Sequence, residues 1–268
     1  MPSLDGLLMR DFPSYIGQLI PDQTRADRFL EEFNQYEAQD TLPNLVMLQL
    51  VQNHTTGTDP DFPTPKAMVA DNDLALGRIV DAISHGKDWA SSAIFVVEDD
   101  AQGGVDHVDG HRSPALVISP YAKHAAVDDS YYTQIDMVRT IEQILGLPPM
   151  NQMDSAATPM VDAFTETADL TPYSVKANIV PLDEMNPPKS ALSGVQLAWA
   201  DWSSRAGFGD PTTQPDVQDP HLLNRAIWYA TRGFDVPYPG DARVLWPSEV
   251  SPSDSAGNLE SGGTTTEP

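Results

Sequence analysis

Three short apolar runs, set between stretches of helical periodicity, constrain the fold of this chain more than any other feature. They occupy residues 44–51 (NLVMLQLV), 93–97 (AIFVV) and 115–119 (ALVIS). Each is too short to be an apolar helix, and each reads as a strand buried on both faces, the pattern that parallel sheets impose. Between and around them lie segments with apolar residues at helical spacing. Residues 21–37 carry Arg25, Phe29, Leu30 and Phe33 at that spacing, with Asp22 as the expected N-cap. Residues 66–85 place Met68, Val69, Leu74, Leu76, Ile79, Val80 and Ile83 on a helix that stops at Gly86. Residues 132–145 form a third helix, closed by Gly146 and the Pro148-Pro149 pair. Strands alternating with helices predict an α/β fold with a mainly parallel sheet flanked by helices. Such sheets gather functional loops at the carboxyl ends of their strands.

Beyond residue 170 the pattern weakens. Residues 178–188 and 208–220 are rich in proline and polar side chains, while 190–204 and 220–233 have the spacing of two amphipathic helices. Four of the five tryptophans, Trp199, Trp202, Trp228 and Trp246, fall in this part and are expected to staple an extension onto the α/β body. The expected organisation is an α/β unit over 1–170, a helical and irregular extension over 171–250, and a disordered Ser/Gly/Thr tail over 251–268.

Charge narrows the partners. With 39 Asp and Glu against 15 Lys and Arg, the formal charge is −24. A chain this acidic is repelled by nucleic-acid backbones and by anionic membrane surfaces. No apolar run approaches the ~20 residues of a transmembrane helix. The first residues have no basic stretch leading into an apolar one, so no signal peptide is read here, and localisation stays open. Cysteine is absent, which excludes disulfides, thiolate metal sites and cysteine nucleophiles. Any metal would be held by imidazole nitrogen and carboxylate or carbonyl oxygen.

The chemistry is concentrated in one segment. Residues 98–111 hold five carboxylates (Glu98, Asp99, Asp100, Asp106, Asp109) and two imidazoles (His107, His111), directly after an apolar run. Carboxylates so crowded repel one another unless a cation neutralises them. Gly103, Gly104 and Gly110 allow the segment to fold back on itself. Mixed Asp and His ligation suits Zn²⁺, Mn²⁺ or iron, and Mg²⁺ or Ca²⁺ less readily. The alternative is a solvated acidic loop with an incidental histidine pair. A second candidate, Asn53-His54-Thr55-Thr56-Gly57-Thr58, also follows an apolar run, and in a parallel sheet it would share a rim with the first.

Three sequences in combination resemble a known family: AMVADNDLALGR (67–78), FVVEDDAQ (95–102) and DHVDGHRSPALVISPY (106–121). They are similar to the phosphoesterase branch of the alkaline phosphatase superfamily, which contains phospholipase C-type and acid phosphatase-type enzymes. The resemblance is to bacterial phosphoesterase domains that follow a β-propeller in one long chain, and it runs from about residue 4 to 160. It implies hydrolysis of a phosphate ester, small or phospholipid, at divalent metal ions such as Zn, Mn or Ca. By position, Asp99 and Asp100 resemble the paired ligands after a central strand, and His111 resembles the later histidine ligand, with His107 its rival or a general acid. His54 resembles the histidine of an Asp-His-Thr-x-Gly-Thr motif, and Thr55 is a hydroxyl beside it. Asp106 or Asp109 would orient an imidazole.

Two departures stand out. Asn53 replaces the family's Asp, and neutral Asn is the poorer ligand. The family's first acidic ligand and its Ser or Thr nucleophile lie well upstream of the Asp-His motif, whereas little chain precedes His54 here. The expectation is therefore a carboxyl-terminal part of a catalytic domain, preceded by a propeller in the full-length protein. The alternative function is a non-catalytic, cation-binding relative. A weaker one, suggested by acidity and tryptophan content, is a carbohydrate- or calcium-binding surface domain.

Overall fold

A computed structural model describes residues 5–13, 20–98, 113–206 and 219–238. Helices dominate them. Helix α1 (Asp22–Gln39) and helix α2 (Pro65–His85) pack together around Ala26, Ala75 and Ile79, with Phe29, Leu50 and Ile83 closing the cluster. The alanines let the helix backbones approach. At the far end Gly86 does the same: a Cβ there would stand 3.2 Å from the Phe33 ring, Glu37 and the Ile83 carbonyl. Its φ of −72° is not the left-handed cap the sequence suggests, so closeness rather than backbone freedom is what selects glycine. Helix α2 starts on a Thr64 cap accepting the Ala67 N–H, with Pro65 in the first turn.

Strands β1 (Ile94–Val97) and β2 (Ala115–Ile118) pair in the register Ile94↔Ile118, Phe95↔Val117, Val96↔Leu116 and Val97↔Ala115. The pair is antiparallel, which departs from the mainly parallel sheet read in the sequence. The physical reason lies in the connection. Parallel neighbours need a crossover, usually a helix, and the glycine-rich polar sequence between Val97 and Ala115 has no apolar helical spacing to build one.

The run 44–51 also departs from expectation. It belongs to no ladder among the described residues, and its apolar side chains are exposed up to Leu50. A strand exists only with a partner, and neither β1 nor β2 pairs with it.

Helix α3 (Gln134–Leu145) carries a full capping box from Thr133 and Asp136 and ends on Gly146 at φ +68°. A short helix α4 (Gln152–Ala156) follows. The chain then returns past the end of β2, where Thr165 and Asp169 donate to the Tyr121 and Pro120 carbonyls. It continues along α2, where the Tyr173 N–H meets Ser84 and the Val175 N–H meets Asp81. It reaches the loop before α2, where the Thr64 N–H donates to Glu184 and the Asn186 N–H to Phe62.

Helices α5 (Gly194–Ala206) and α6 (Pro220–Arg232) bury Trp199, Ala226 and Tyr229 between them, with Trp202, Trp228 and Phe234 packed around. The tryptophans thus weld the two helices to each other. Their attachment to the rest runs through α2 and the loop before it. Trp246 and the tail lie outside the described residues. No helix among the described residues is long and apolar enough to cross a membrane.

Candidate functional site

The site grows from the turn after residue 51. Gln52–His54 form one 3₁₀ turn, in which the His54 N–H donates to the Val51 carbonyl and the Thr55 N–H to the Gln52 carbonyl. Nothing in that turn's own sequence fixes it. Asp22, expected as a helix cap, instead sends its carboxylate across to hold it. Oδ1 accepts the Val51 N–H at 3.1 Å, and Oδ2 accepts the Gln52 N–H at 2.9 Å. Asn72 Nδ2 and Arg25 Nη1 add bonds of 3.0 Å each to the same carboxylate. Asp22 and Arg25 are both fully buried. Asp71 accepts the Asp22 N–H, and its own carboxyl is pushed above the usual range by burial and by the neighbouring Asp22 charge.

Downstream, the chain after His54 is gripped from the carboxyl-terminal half. Ser203 Oγ accepts the Thr58 N–H at 3.1 Å and lies 3.0 Å from the Thr58 hydroxyl. Asn186 Nδ2 donates to the Gly57, Asp59 and Pro63 carbonyls, and the Ser204 hydroxyl donates to Asp59. Gly57 has φ +61°, and a Cβ on it would come within 2.9 Å of Ser203 Oγ. Glycine is required there for both reasons.

Thr55 is the strained residue of the loop. A β-branched side chain at φ +58°, ψ 176° is disfavoured by its own backbone. The residue is only 5% exposed, and its Oγ1 is buried with no hydrogen-bond partner. A buried, unsatisfied hydroxyl in a costly conformation is uncommon outside functional loops. His54 is half-buried, and its Nδ1 lies 3.4 Å from the Thr55 carbonyl. In the Nδ1–H tautomer that carbonyl orients the ring and Nε2 carries the lone pair, the arrangement of a histidine metal ligand.

The turn meets the acidic segment at its root. Asn53 Nδ2 donates to Glu98 Oε1 at 3.4 Å. Because β1 and β2 are antiparallel, both ends of the 99–112 segment meet here as well. Ser113 Oγ donates to the Glu98 carbonyl at 3.0 Å, and the Glu98 N–H to the Pro114 carbonyl at 3.3 Å. Gln134, opening α3, adds a bond to the Glu98 carbonyl. Asn53, the neighbour of His54, thus touches Glu98 where that segment leaves and returns.

Asp99, Asp100, Asp106, His107, Asp109 and His111 themselves lie outside the described residues. Among the described residues no group of three or more His, Asp and Glu side chains is arranged to hold a metal. Sequence reasoning missed Asp22, Asn186 and Ser203, and no local signal could have found them. Asp22 acts 29 and 30 residues away, and Ser203 acts 145 residues away.

A profile of the Phosphoesterase family matches residues 9–148, just over half of the chain. No curated protein and no solved structure matches it.

Proposed function

The chain belongs to the Phosphoesterase family, and from that premise we propose that it is a metal-dependent hydrolase of phosphate monoesters or diesters. Family membership supports phosphate-ester hydrolysis in general. The observation that carries the finer reading is the Asn53–Glu98 contact, which sets the His54 turn at the root of the 99–112 segment. We place the alkaline phosphatase-like chemistry in residues 1–170, with 171–250 as an extension that braces it.

The donor set fits a divalent ion. His54 brings an imidazole oriented by the Thr55 carbonyl, and Asp99, Asp100, His111 and His107 supply carboxylate and imidazole donors from the adjoining segment. A divalent ion held by these residues would offset negative charge on the phosphoryl oxygens. Thr55 carries a buried hydroxyl with no partner of its own, which a phosphoryl oxygen admitted to the site would satisfy. Burial of residues 55–59 keeps that hydroxyl away from bulk water. His107, where it is not a ligand, is the group we assign to proton donation to the leaving oxygen. Asn53 is neutral and bonded to Glu98, so it helps fix the geometry while leaving the ion's charge to the other ligands.

The test is hydrolysis of an aryl phosphate monoester and diester with Zn²⁺, Mn²⁺ and Ca²⁺ supplied in turn, alongside a D99A/D100A variant. Turnover lost in the variant supports the proposal. A folded protein that turns over neither ester with any of the ions overturns it. Cation binding that D99A/D100A abolishes, without turnover, identifies a non-catalytic relative instead.

A further inference from the structure

Thr55 keeps its strained backbone while the chain is pinned on both sides of it. On the amino-terminal side the Asp22 carboxylate accepts the Val51 and Gln52 N–H groups. On the carboxyl-terminal side Ser203 Oγ accepts the Thr58 N–H at 3.1 Å, and Asn186 Nδ2 donates to the Gly57 and Asp59 carbonyls at 3.1 and 2.8 Å. Four residues, Asn53 to Thr56, span the gap between Gln52 and Gly57. A threonine at φ +58° persists only where the surrounding structure over-determines it, and the two anchors supply that constraint.

The anchors differ in origin. Asp22 lies within residues 9–148, which match the family, whereas Asn186 and Ser203 lie beyond them. Both of these are buried, at 5% and 0% exposure. Ser203 stands one turn after Trp199, whose ring packs on Tyr229 of α6 with centroids 5.7 Å apart. Helix α6 also reaches the loop itself. A Cβ on Gly57 would stand 3.7 Å from the Ala226 Cβ as well as 2.9 Å from Ser203 Oγ. The packing of α5 on α6 therefore sets where Ser203 stands, and Ser203 sets where residues 57 and 58 stand.

We infer that Ser203 and Asn186 are positioning residues that act through Thr55. They hold it in the positive-φ conformation in which its hydroxyl is buried and has no partner among the described residues, so that a phosphoryl oxygen can claim it. The inference rests on the phosphate-ester reading of the same site. Released from the clamp, Thr55 would relax to negative φ and its hydroxyl would find another partner. Such coupling is reciprocal, so a ligand on that hydroxyl also tightens the grip of α5 on the loop.

The full-length variants S203A, N186A, T55G and S203A/T55G test this. S84A is the control, because Ser84 accepts the Tyr173 N–H at 2.9 Å and ties the same extension to α2 away from the loop. The probe is phenylphosphonate, a phosphate-ester analogue that is not hydrolysed, titrated calorimetrically with Zn²⁺ present. Urea midpoints are read on the same proteins without it. S203A, N186A and T55G should each weaken phenylphosphonate about tenfold, the worth of one hydrogen bond to a charged group, and S84A should not. S203A/T55G should bind no more weakly than T55G, since Ser203 acts through Thr55. T55G should raise the midpoint of the parent but not that of S203A, where the strain is already released. If S203A fails to fold, N186A and N186A/T55G supply the same cycle. Additive effects on the midpoint overturn the inference. So does an affinity unchanged in both S203A and N186A, or one weakened as much by S84A. A parent that binds no phenylphosphonate, with the midpoints still coupled, defeats the hydrolase reading and leaves the Thr55 clamp standing.

Discussion

Replacing Asp22 with alanine tests whether a tertiary contact, rather than local sequence, builds the His54 turn. The Asp22 carboxylate is 0% exposed and accepts four hydrogen bonds of 2.9–3.1 Å, two from backbone amides, one from Asn72 and one from Arg25. Alanine would strip the Val51 and Gln52 N–H groups of their acceptor in a buried setting and take the counter-charge from a guanidinium that is 1% exposed. Breaking a buried charge pair from one side costs about 3–5 kcal/mol. That is a large part of the ~5–15 kcal/mol by which a domain is stable. With a urea dependence of about 3 kcal/mol per molar, the unfolding midpoint should drop by about 1–1.7 M. Tryptophan fluorescence reads it, since Trp89 and Trp199 are both buried. D22N keeps the shape and one acceptor oxygen, and should lose about 1–3 kcal/mol. The double variant D22A/R25M should be more stable than D22A alone, because it removes the stranded charge. A D22A midpoint within ~1 kcal/mol of the parent's would refute the claim that this carboxylate holds the turn.

Three further outcomes are expected. Burial pushes the Asp136 carboxyl up, but the N–H and hydroxyl of Thr133 and the N–H of Thr158 outweigh it and hold the group below its ordinary range. Its stabilising effect is therefore present above the unfolded value of about 3.9 and lost as pH falls through the lower folded value. The urea midpoint should fall from pH 5 towards pH 3, and D136N should flatten that limb; an unchanged slope would count against it. T55G removes a β-branched residue from φ +58° and an unsatisfied buried hydroxyl, so it should raise stability by about 1 kcal/mol while lowering ester hydrolysis. Lower stability together with intact turnover would contradict both halves. N53D sets a second carboxylate against Glu98, where Asn53 now sits at 3.4 Å. In chelator it should lose about 1 kcal/mol, and Zn²⁺ or Mn²⁺ should restore it. A thermal midpoint indifferent to cation would show that no ion reaches this place.

Local sequence determined much of this protein. Apolar spacing located every long helix to within a few residues, because a helix satisfies its own backbone and needs only one buried face. Gly146 marked a helix end through chemistry confined to a single turn, whereas Asp22, read as a helix cap, turns out to hold a distant turn instead. The family resemblance was carried by contiguous motifs, and the residues 9–148 that match the Phosphoesterase family contain all three of them. Strand pairing was beyond the sequence's reach. A run such as 44–51 has the composition of a buried strand, but its ladder depends on which other strand comes alongside, and β1 pairs with β2 instead. The same holds for the site. The sequence marks His54 and Thr55 as candidates, yet their geometry comes from a carboxylate 30 residues earlier and a serine 145 residues later. Helical periodicity is written in neighbours a turn apart. The placement of the His54 loop is decided by buried polar groups that find their partners only when distant parts of the chain pack together.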